Sequence, residues 1–199
     1  MMVVGLTGGI GSGKTTIAKM FEELGISVYI SDTEAQKLIE TDENIKRKIK
    51  SSFGELAYVD GKYNRKYIAE IVFRDRDKLR IINEIVHPEV AKHFSDWKTN
   101  QNSPYVIKES AILFESGAYH DCDYIITVTA DEQERIRRVV ERDGVTENSV
   151  RERIKNQWND EKKMNLSDEV INNINIESSS LKVREIHSKL IKKIEKTII

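Results

Sequence analysis

The sequence predicts an α/β fold: a five-stranded parallel sheet flanked by helices, with a helical insertion and a basic break near the C-terminal third. Three observations predict it. Short apolar runs alternate with stretches of helical periodicity, the pattern of parallel strands joined by crossover helices. Residues Gly8 to Thr15 read G-G-I-G-S-G-K-T, which fits the phosphate-cradling P-loop pattern G-x-x-x-x-G-K-[ST]. Residues 41–102 then change character, rich in Lys, Arg, Glu and Asp with apolar side chains at helical spacing.

The elements follow in order. Val3 to Thr7 is a short apolar run, as a buried strand requires. After the glycine loop, Ile17, Met20, Phe21 and Leu24 mark one face of a helix over 16–24, and Gly25 stands where a helix C-cap belongs. Ser27 to Ile30 reads as the second strand. Ser31 and Glu34 form an S-x-x-E capping box before a helix carrying Ala35, Leu38 and Ile39. Within the insertion, Ile68, Ile71 and Val72, then Leu79, Ile82, Ile85 and Val86, give helical stripes. Asp60-Gly61 marks a turn. Pro88 suits the first position of a further helix begun at His87, with Val90, Phe94 and Trp97 on its buried face. Tyr105 to Lys108 is the third strand and Asp123 to Val128 the fourth. Acidic residues at Asp131, Glu132 and Glu134 open a helix that runs to about Asp143 and suit its dipole. Gly144 to Thr146 is a break, followed by a charged segment over 147–165. Glu169 to Asn172 is the fifth strand, and 181–198 an amphipathic C-terminal helix. The expected organisation is a core of 1–40 and 103–199, an insertion of 41–102, and a lid at about 143–165 within the core.

Composition bounds the function. The net charge of −1 gives no global field for nucleic acid or a membrane surface, so neither is expected as a partner and anion binding must be local. The single cysteine, Cys122, permits no intrachain disulfide, which agrees with a reducing compartment. The first apolar run ends by Thr7, too short for a signal peptide, and no stretch approaches the roughly 18 apolar residues of a spanning helix. The expectation is a soluble cytoplasmic protein, with a monomer favoured.

The chemistry starts at the glycine loop. Gly8, Gly9, Gly11 and Gly13 let main-chain N–H groups approach a phosphate chain, because no Cβ stands in the way. Lys14 is expected to reach the β- and γ-phosphates, and the Thr15 hydroxyl to ligate Mg²⁺. A nucleoside triphosphate is the implied ligand. Asp32 lies just past the second strand, on the edge where doubly wound sheets bind ligands. It reads either as a carboxylate for an acceptor hydroxyl or as a first-turn acid on its own helix. Arg135, Arg137, Arg138, Arg142, Arg151 and Arg153 flank the break, so a subset could close on phosphate; alternating Glu and Arg also make a solvated helix face. No Walker B acid is evident. Glu109, after the third strand, reads either as that acid or as a loop residue. His87 is assigned to substrate contact or packing. His93, His120 and His187 show no metal-ligand spacing.

The chain resembles the dephospho-CoA kinase family from Gly5 to Asn173. The opening G-L-T-G-G-I-G-S-G-K-T is that family's form of the P-loop. Supporting matches are Asp32, Gly61 through Phe73, Ile85-Val86-His87-Pro88, Leu113-Phe114-Glu115, Arg138, Arg142-Asp143, Arg153, Gln157, and Asp168 through Asn173. The resemblance implies a P-loop kinase core, an inserted helical domain that binds CoA, and a lid. It implies ATP-dependent phosphorylation of the ribose 3′-hydroxyl of dephospho-CoA. Asp32 would be the acceptor-side base. Lys14 and the backbone of Gly11, Ser12, Gly13, Thr15 and Thr16 would hold ATP. Arg138 would belong to the nucleotide site, Arg142 would reach phosphate, and Asn173 would lie near adenine. Apart from the resemblance, Arg65, Lys66, His87 and Glu109 are candidates for the acceptor side. The family commonly carries proline where Ala111 stands, and Ile30 replaces the first acid of a D-x-D pattern whose second acid is Asp32. The competing readings are another small P-loop kinase and a nucleotide-dependent switch; the guanine-specific N-K-x-D pattern of many switches is absent from the sequence.

Overall fold

The computed structural model describes residues 1–198 of the chain. In order, the elements are β1 (Met2–Thr7), α1 (Lys14–Glu23), β2 (Ser27–Ile30), α2 (Ser31–Thr41), α3 (Glu43–Phe53), β3 (Tyr58–Val59), β4 (Lys62–Tyr63), α4 (Arg65–Arg74) and α5 (Arg76–Thr99). There follow β5 (Tyr105–Glu109), β6 (Tyr124–Thr129), α6 (Glu132–Asp143), α7 (Glu147–Lys155), α8 (Asp160–Asn165), β7 (Glu169–Asn172) and α9 (Ile176–Ile198). They form two compact units, Met1–Ile30 with the chain from Gln101 on, and Ser31–Asn100.

The first unit is built on a five-stranded sheet in the order β2-β5-β1-β6-β7, every pair parallel, as the alternating pattern predicts. β1 is the central strand. Leu6 lies opposite Glu109 of β5 on one side and Ile126 of β6 on the other. The period-two alternation of a strand sorts the side chains by face. Val4, Leu6, Tyr105, Ile107, Ile126 and Val128 share one cluster with Ile17 and Phe21 of α1 and Val183, Ile186 and Leu190 of α9. Leu113, Phe114 and Ile125 form a separate cluster with Tyr119, Cys122 and Trp158. There the chain needs Gly5: a Cβ at that residue would lie 2.7 Å from Leu113 Cδ2 and 3.0 Å from Cys122 Sγ. The fourth core strand starts at Tyr124 rather than Asp123. The Asp123 carboxylate accepts from the Val3 N–H at 2.7 Å, so the residue closes the strand's entry instead of joining it. The charged segment after Gly144 resolves into α7 and α8.

The second unit has Ile45, Ile49, Phe53, Ile68, Ile82, Val86, Val90 and Phe94 as its buried apolar side chains. Asp60 and Gly61, with φ of 50° and 76°, turn the β3–β4 hairpin, two successive left-handed residues as tight hairpins favour. α2 packs on α3 and α5, so this compact unit starts at Ser31, ahead of the residue-41 boundary read from composition.

Two local expectations fail here. Pro88 does not start a helix, because α5 runs unbroken from an N-cap at Asp75, whose carboxylate accepts from the Asp77 and Lys78 N–H groups. The capping box at Ser31 and Glu34 does not form. Ser31 is itself the first helical residue, directly after β2, and its buried hydroxyl has no hydrogen-bond partner among the described residues. With no extended residue between strand and helix, Ser31 cannot take the backbone conformation of an N-cap. Among the described residues, no helix is long and apolar enough to cross a membrane.

Candidate functional site

The glycine loop leaves the C-terminal end of the central strand and enters α1. Gly11 and Gly13 have φ of 79° and 92°, the left-handed region that favours glycine. Gly13 is the N-cap of α1 and supplies no side-chain acceptor; the Thr16 and Ile17 N–H groups close onto its carbonyl at 3.0 and 3.1 Å, and a helix N-terminus of this kind suits an anion. A Cβ on Gly13 would also strike the Asn173 amide.

Lys14 is 9% exposed, a low value for an ammonium, and its environment explains it. The Nζ donates to the Gly8 carbonyl at 3.1 Å and the Gly9 carbonyl at 3.4 Å, and lies 3.9 Å from the Glu109 carboxylate. Glu109 is the last residue of β5 rather than a loop residue beyond it, and pairing with Leu6 sets it beside the loop's origin. Thr15 and Thr16 are exposed in the first turn of α1.

Asn173 follows β7 and braces the loop from the other side. Its Nδ2 donates to the Ser12 carbonyl at 2.9 Å, and its Oδ1 accepts from the Ser179 hydroxyl at 2.9 Å. Arg138 donates from Nη2 to the Asn173 carbonyl at 3.1 Å and from Nε to Glu134 at 2.9 Å. Glu134 also takes two bonds from Arg137, and these guanidinium contacts hold its carboxyl down at about 2. Arg142 stands apart. Its exposed guanidinium pairs with Asp143 at 2.7 and 3.0 Å, which raises the arginine and lowers the carboxyl from their ordinary values.

Further residues brace the loop; of these Arg135 was expected only as one of six arginines, Gln157 only as a family match, and Asp160 and Lys163 not at all. Ile10 donates its N–H to Gln157 Oε1 at 2.9 Å and accepts at its carbonyl from Arg135 Nε at 2.9 Å. Arg135 Nη1 meets Asp160 at 2.8 Å, and Asp160 also accepts from the Thr129 hydroxyl at 2.7 Å. The available signal was Arg135 on the buried side of α6 beside Ile136 and Val139, since an arginine on an apolar helix face needs a designated partner. Behind the loop after β5, fully buried Lys163 donates to the Ala111 carbonyl at 3.1 Å and Glu115 at 2.9 Å, and Glu115 accepts from the Trp158 N–H.

A divalent cation fits this donor set in one form. Among the described residues, no group of three or more His, Cys, Asp or Glu could cage a metal. Mg²⁺ commonly takes one or two protein oxygens and completes its shell with phosphate and water. The Thr15 hydroxyl and the Glu109 carboxylate are oxygens of that kind on the loop and its neighbouring strand.

The second unit carries the remaining predicted residues. Asp32 is exposed on the first turn of α2. His87, half-buried on α5, has its pKa lowered by burial, while the charge of Asp32 opposes the shift. Arg65, first residue of α4, lines a 590 Å³ cleft with Thr33, Ile39, Tyr63, Ile68 and Val72. Lys66 is exposed and is not among the residues lining that cleft.

Comparison with known proteins bears on what such a loop serves. A family model described as dephospho-CoA kinase matches residues 2–178. The chain is similar to the dephospho-CoA kinase of Bacteroides fragilis, 37% identical over 171 residues that cover 85% of this chain and 83% of the relative. It is similar to the crystal structure of TT1252 from Thermus thermophilus, with a TM-score of 0.85 and 30% identity over 96% of this chain and 97% of the other. A dephospho-CoA kinase structure from Campylobacter jejuni gives a TM-score of 0.64 at 25% identity, covering 99% and 98%.

Proposed function

The chain belongs to the dephospho-CoA kinase family, and from that premise we propose that Lys14, Asp32 and Arg142 carry transfer of the ATP γ-phosphoryl group to the ribose 3′-hydroxyl of dephospho-CoA. The products are coenzyme A and ADP. The acceptor oxygen bonds to the γ-phosphorus as the bridging oxygen leaves with ADP, and the hydroxyl proton passes to Asp32. A carboxylate is a weak base for a neutral secondary hydroxyl. In a loose transition state the proton need not leave early, so Asp32 chiefly aims the oxygen and takes the proton late.

The observation that carries this reading is Lys14. Its ammonium is buried against its own loop beside Glu109, where phosphate oxygens exchange readily for the Gly8 and Gly9 carbonyls. The loop from Gly9 through Gly11, Ser12, Gly13, Thr15 and Thr16 would wrap the phosphate chain, the Ser12 and Thr16 N–H groups holding its turns through the Gly9 and Gly13 carbonyls. Thr15 and Glu109 would hold Mg²⁺, which when bound draws off phosphate charge. Arg138 and Asn173 would flank the nucleotide, and Arg142 would trade Asp143 for phosphate. In this reading residues 41–102 belong to the acceptor-binding part, with Arg65, Lys66 and His87 facing the acceptor, and about 143–165 form the lid. The location is cytoplasmic and the working form a monomer.

The test is ADP release with ATP and Mg²⁺, comparing dephospho-CoA with AMP, CMP and buffer alone. Turnover with dephospho-CoA, with coenzyme A identified by mass, is the expected result; turnover only with a monophosphate would overturn the acceptor. Asp32→Asn is expected to lower kcat by about 100-fold or more while ATP affinity stays nearly intact. Near-parent kcat in that variant would remove Asp32 from the mechanism.

A further inference from the structure

The Ile10–Gly11 peptide at the crest of the loop is held more tightly than phosphate binding alone explains. Ile10 is gripped at both main-chain groups, its N–H by Gln157 and its carbonyl by Arg135. Its side chain packs with Ile136, Val139 and Val150 in the cluster of α6 and α7. Arg135 is in turn immobilised. Its guanidinium bonds to Asp160, whose same oxygen accepts from Thr129 at the end of β6, and the Arg135 and Asp160 side chains are 6% and 19% exposed. The chain of contacts runs from the sheet, through Asp160 and Arg135, to one loop carbonyl.

A buried ion pair of this kind is weak evidence for stability, because desolvation offsets most of the Coulomb gain. Its geometric effect is definite. A trans peptide is planar, so the Ile10 carbonyl and the Gly11 N–H point in opposite directions. Gly11 has φ of 79°, and a glycine junction would otherwise rotate readily. Fixing the carbonyl on Arg135 therefore fixes the Gly11 N–H on the other side. A Cβ on Gly9 would strike the Arg135 guanidinium, and one on Gly11 would strike the Arg135 main chain. Arg135 thus accounts for two of the loop glycines independently of any phosphate.

We infer that Arg135, Asp160 and Gln157 are positioning residues for the nucleotide: Arg135, held by Asp160, clamps the Ile10–Gly11 peptide and Gln157 the Gly9–Ile10 peptide before it, so that the Gly11 N–H faces the phosphate chain before ATP arrives. Asp160 and Gln157 both lie in the 143–165 segment, so its α7–α8 junction is also the anchor of the loop crest. The inference rests on the nucleotide reading of the loop.

The test uses the full chain as parent, Arg135→Met, Asp160→Ala and Gln157→Leu. Arg135→Met keeps an unbranched apolar stem. Titration with ADP at fixed Mg²⁺ gives affinity, steady-state kinetics give both KM values, and a thermal melt reports folding. Each variant is expected to bind ADP about tenfold more weakly, as loss of one well-placed hydrogen bond implies, with KM for ATP rising in step and KM for dephospho-CoA unchanged. The Arg135→Met/Asp160→Ala double variant is expected to lose no more than Arg135→Met alone, since the two act in series. Folded variants with ADP affinity within about twofold of the parent would overturn the clamp, whatever happens to Tm. If Arg135→Met does not fold, Gln157→Leu decides, because Gln157 holds the adjoining Gly9–Ile10 peptide and so fixes Ile10 from its other side. A parent that binds no ADP overturns the nucleotide reading and the clamp together; a binding parent with unchanged variants overturns the clamp alone.

Discussion

Lys14 and Arg135 are both buried cations within the same glycine loop's reach, and they were unequally legible. Lys14 sits at a fixed spacing from Gly8 and Gly13 that only a phosphate cradle demands, so its position alone declares it. Arg135 is one of several arginines in a Glu-Arg helix; its place beside Ile136 and Val139 hints at burial, and its Ile10 and Asp160 partners identify it. Those partners are 125 and 25 residues away, beyond any local pattern. His87 gives a prediction at this scale. Burial lowers its pKa in the folded chain, so the unfolded chain binds more protons in the window between the folded value and the ordinary 6.5. Its contribution to stability is complete above that ordinary value and is lost as pH falls through the window. Tm of the parent is expected to fall more between about pH 7.5 and pH 5.5 than Tm of His87→Asn. His187, bonded to Tyr105 and lowered by the same cause, leaves part of the acid sensitivity in the variant. Parallel pH profiles for the two proteins would show that His87 titrates as it does unfolded.

At the scale of elements, the strands were read closely and the helix starts were not. Strands β2 and β7, the two edges of the sheet, occupy the residues expected, because each short apolar run ends where polar residues begin, at Ser31-Asp32 and at Asn172-Asn173. Helix starts depend on the backbone of one residue, and competing cues lie close together. Ser31 offers a capping box, but β2 hands the chain directly to α2 and leaves that residue helical. Pro88 offers a first-turn proline, but the helix was already capped at Asp75. The interior proline carries a cost. It removes the N–H that the Glu84 carbonyl would accept and crowds that carbonyl. Pro88 is exposed, so no packing compensates. Pro88→Ala is expected to stabilise the protein by about 1–2 kcal/mol in urea unfolding, after the entropy gained by the unfolded chain is discounted. A destabilised variant would show that α5 requires the proline for its shape.

For the whole molecule, β1 is the part on which the rest depends. It is bonded on both sides, and Leu6 is fully buried one residue before Thr7, from which the loop departs. Leu6→Ala is expected to cost about 2–5 kcal/mol, read by urea unfolding, from lost burial and the cavity left behind. A loss below about 1 kcal/mol would mean that α1 and α9 collapse onto the space. The sequence by itself determined the α/β class, the glycine loop with Lys14 and Thr15, the five strands, and the helical character of the insertion. Each is a local signal, a period of hydrophobicity or a fixed spacing, and local signals survive without knowledge of neighbours. The tertiary structure alone decided the strand order, the place of α2 in the second compact unit, and the partners of Arg135, Asp160, Gln157 and Lys163. Those depend on which distant segments the sheet brings together. A buried charge is tolerated only where such a partner is supplied, so its role becomes visible only once the chain is folded.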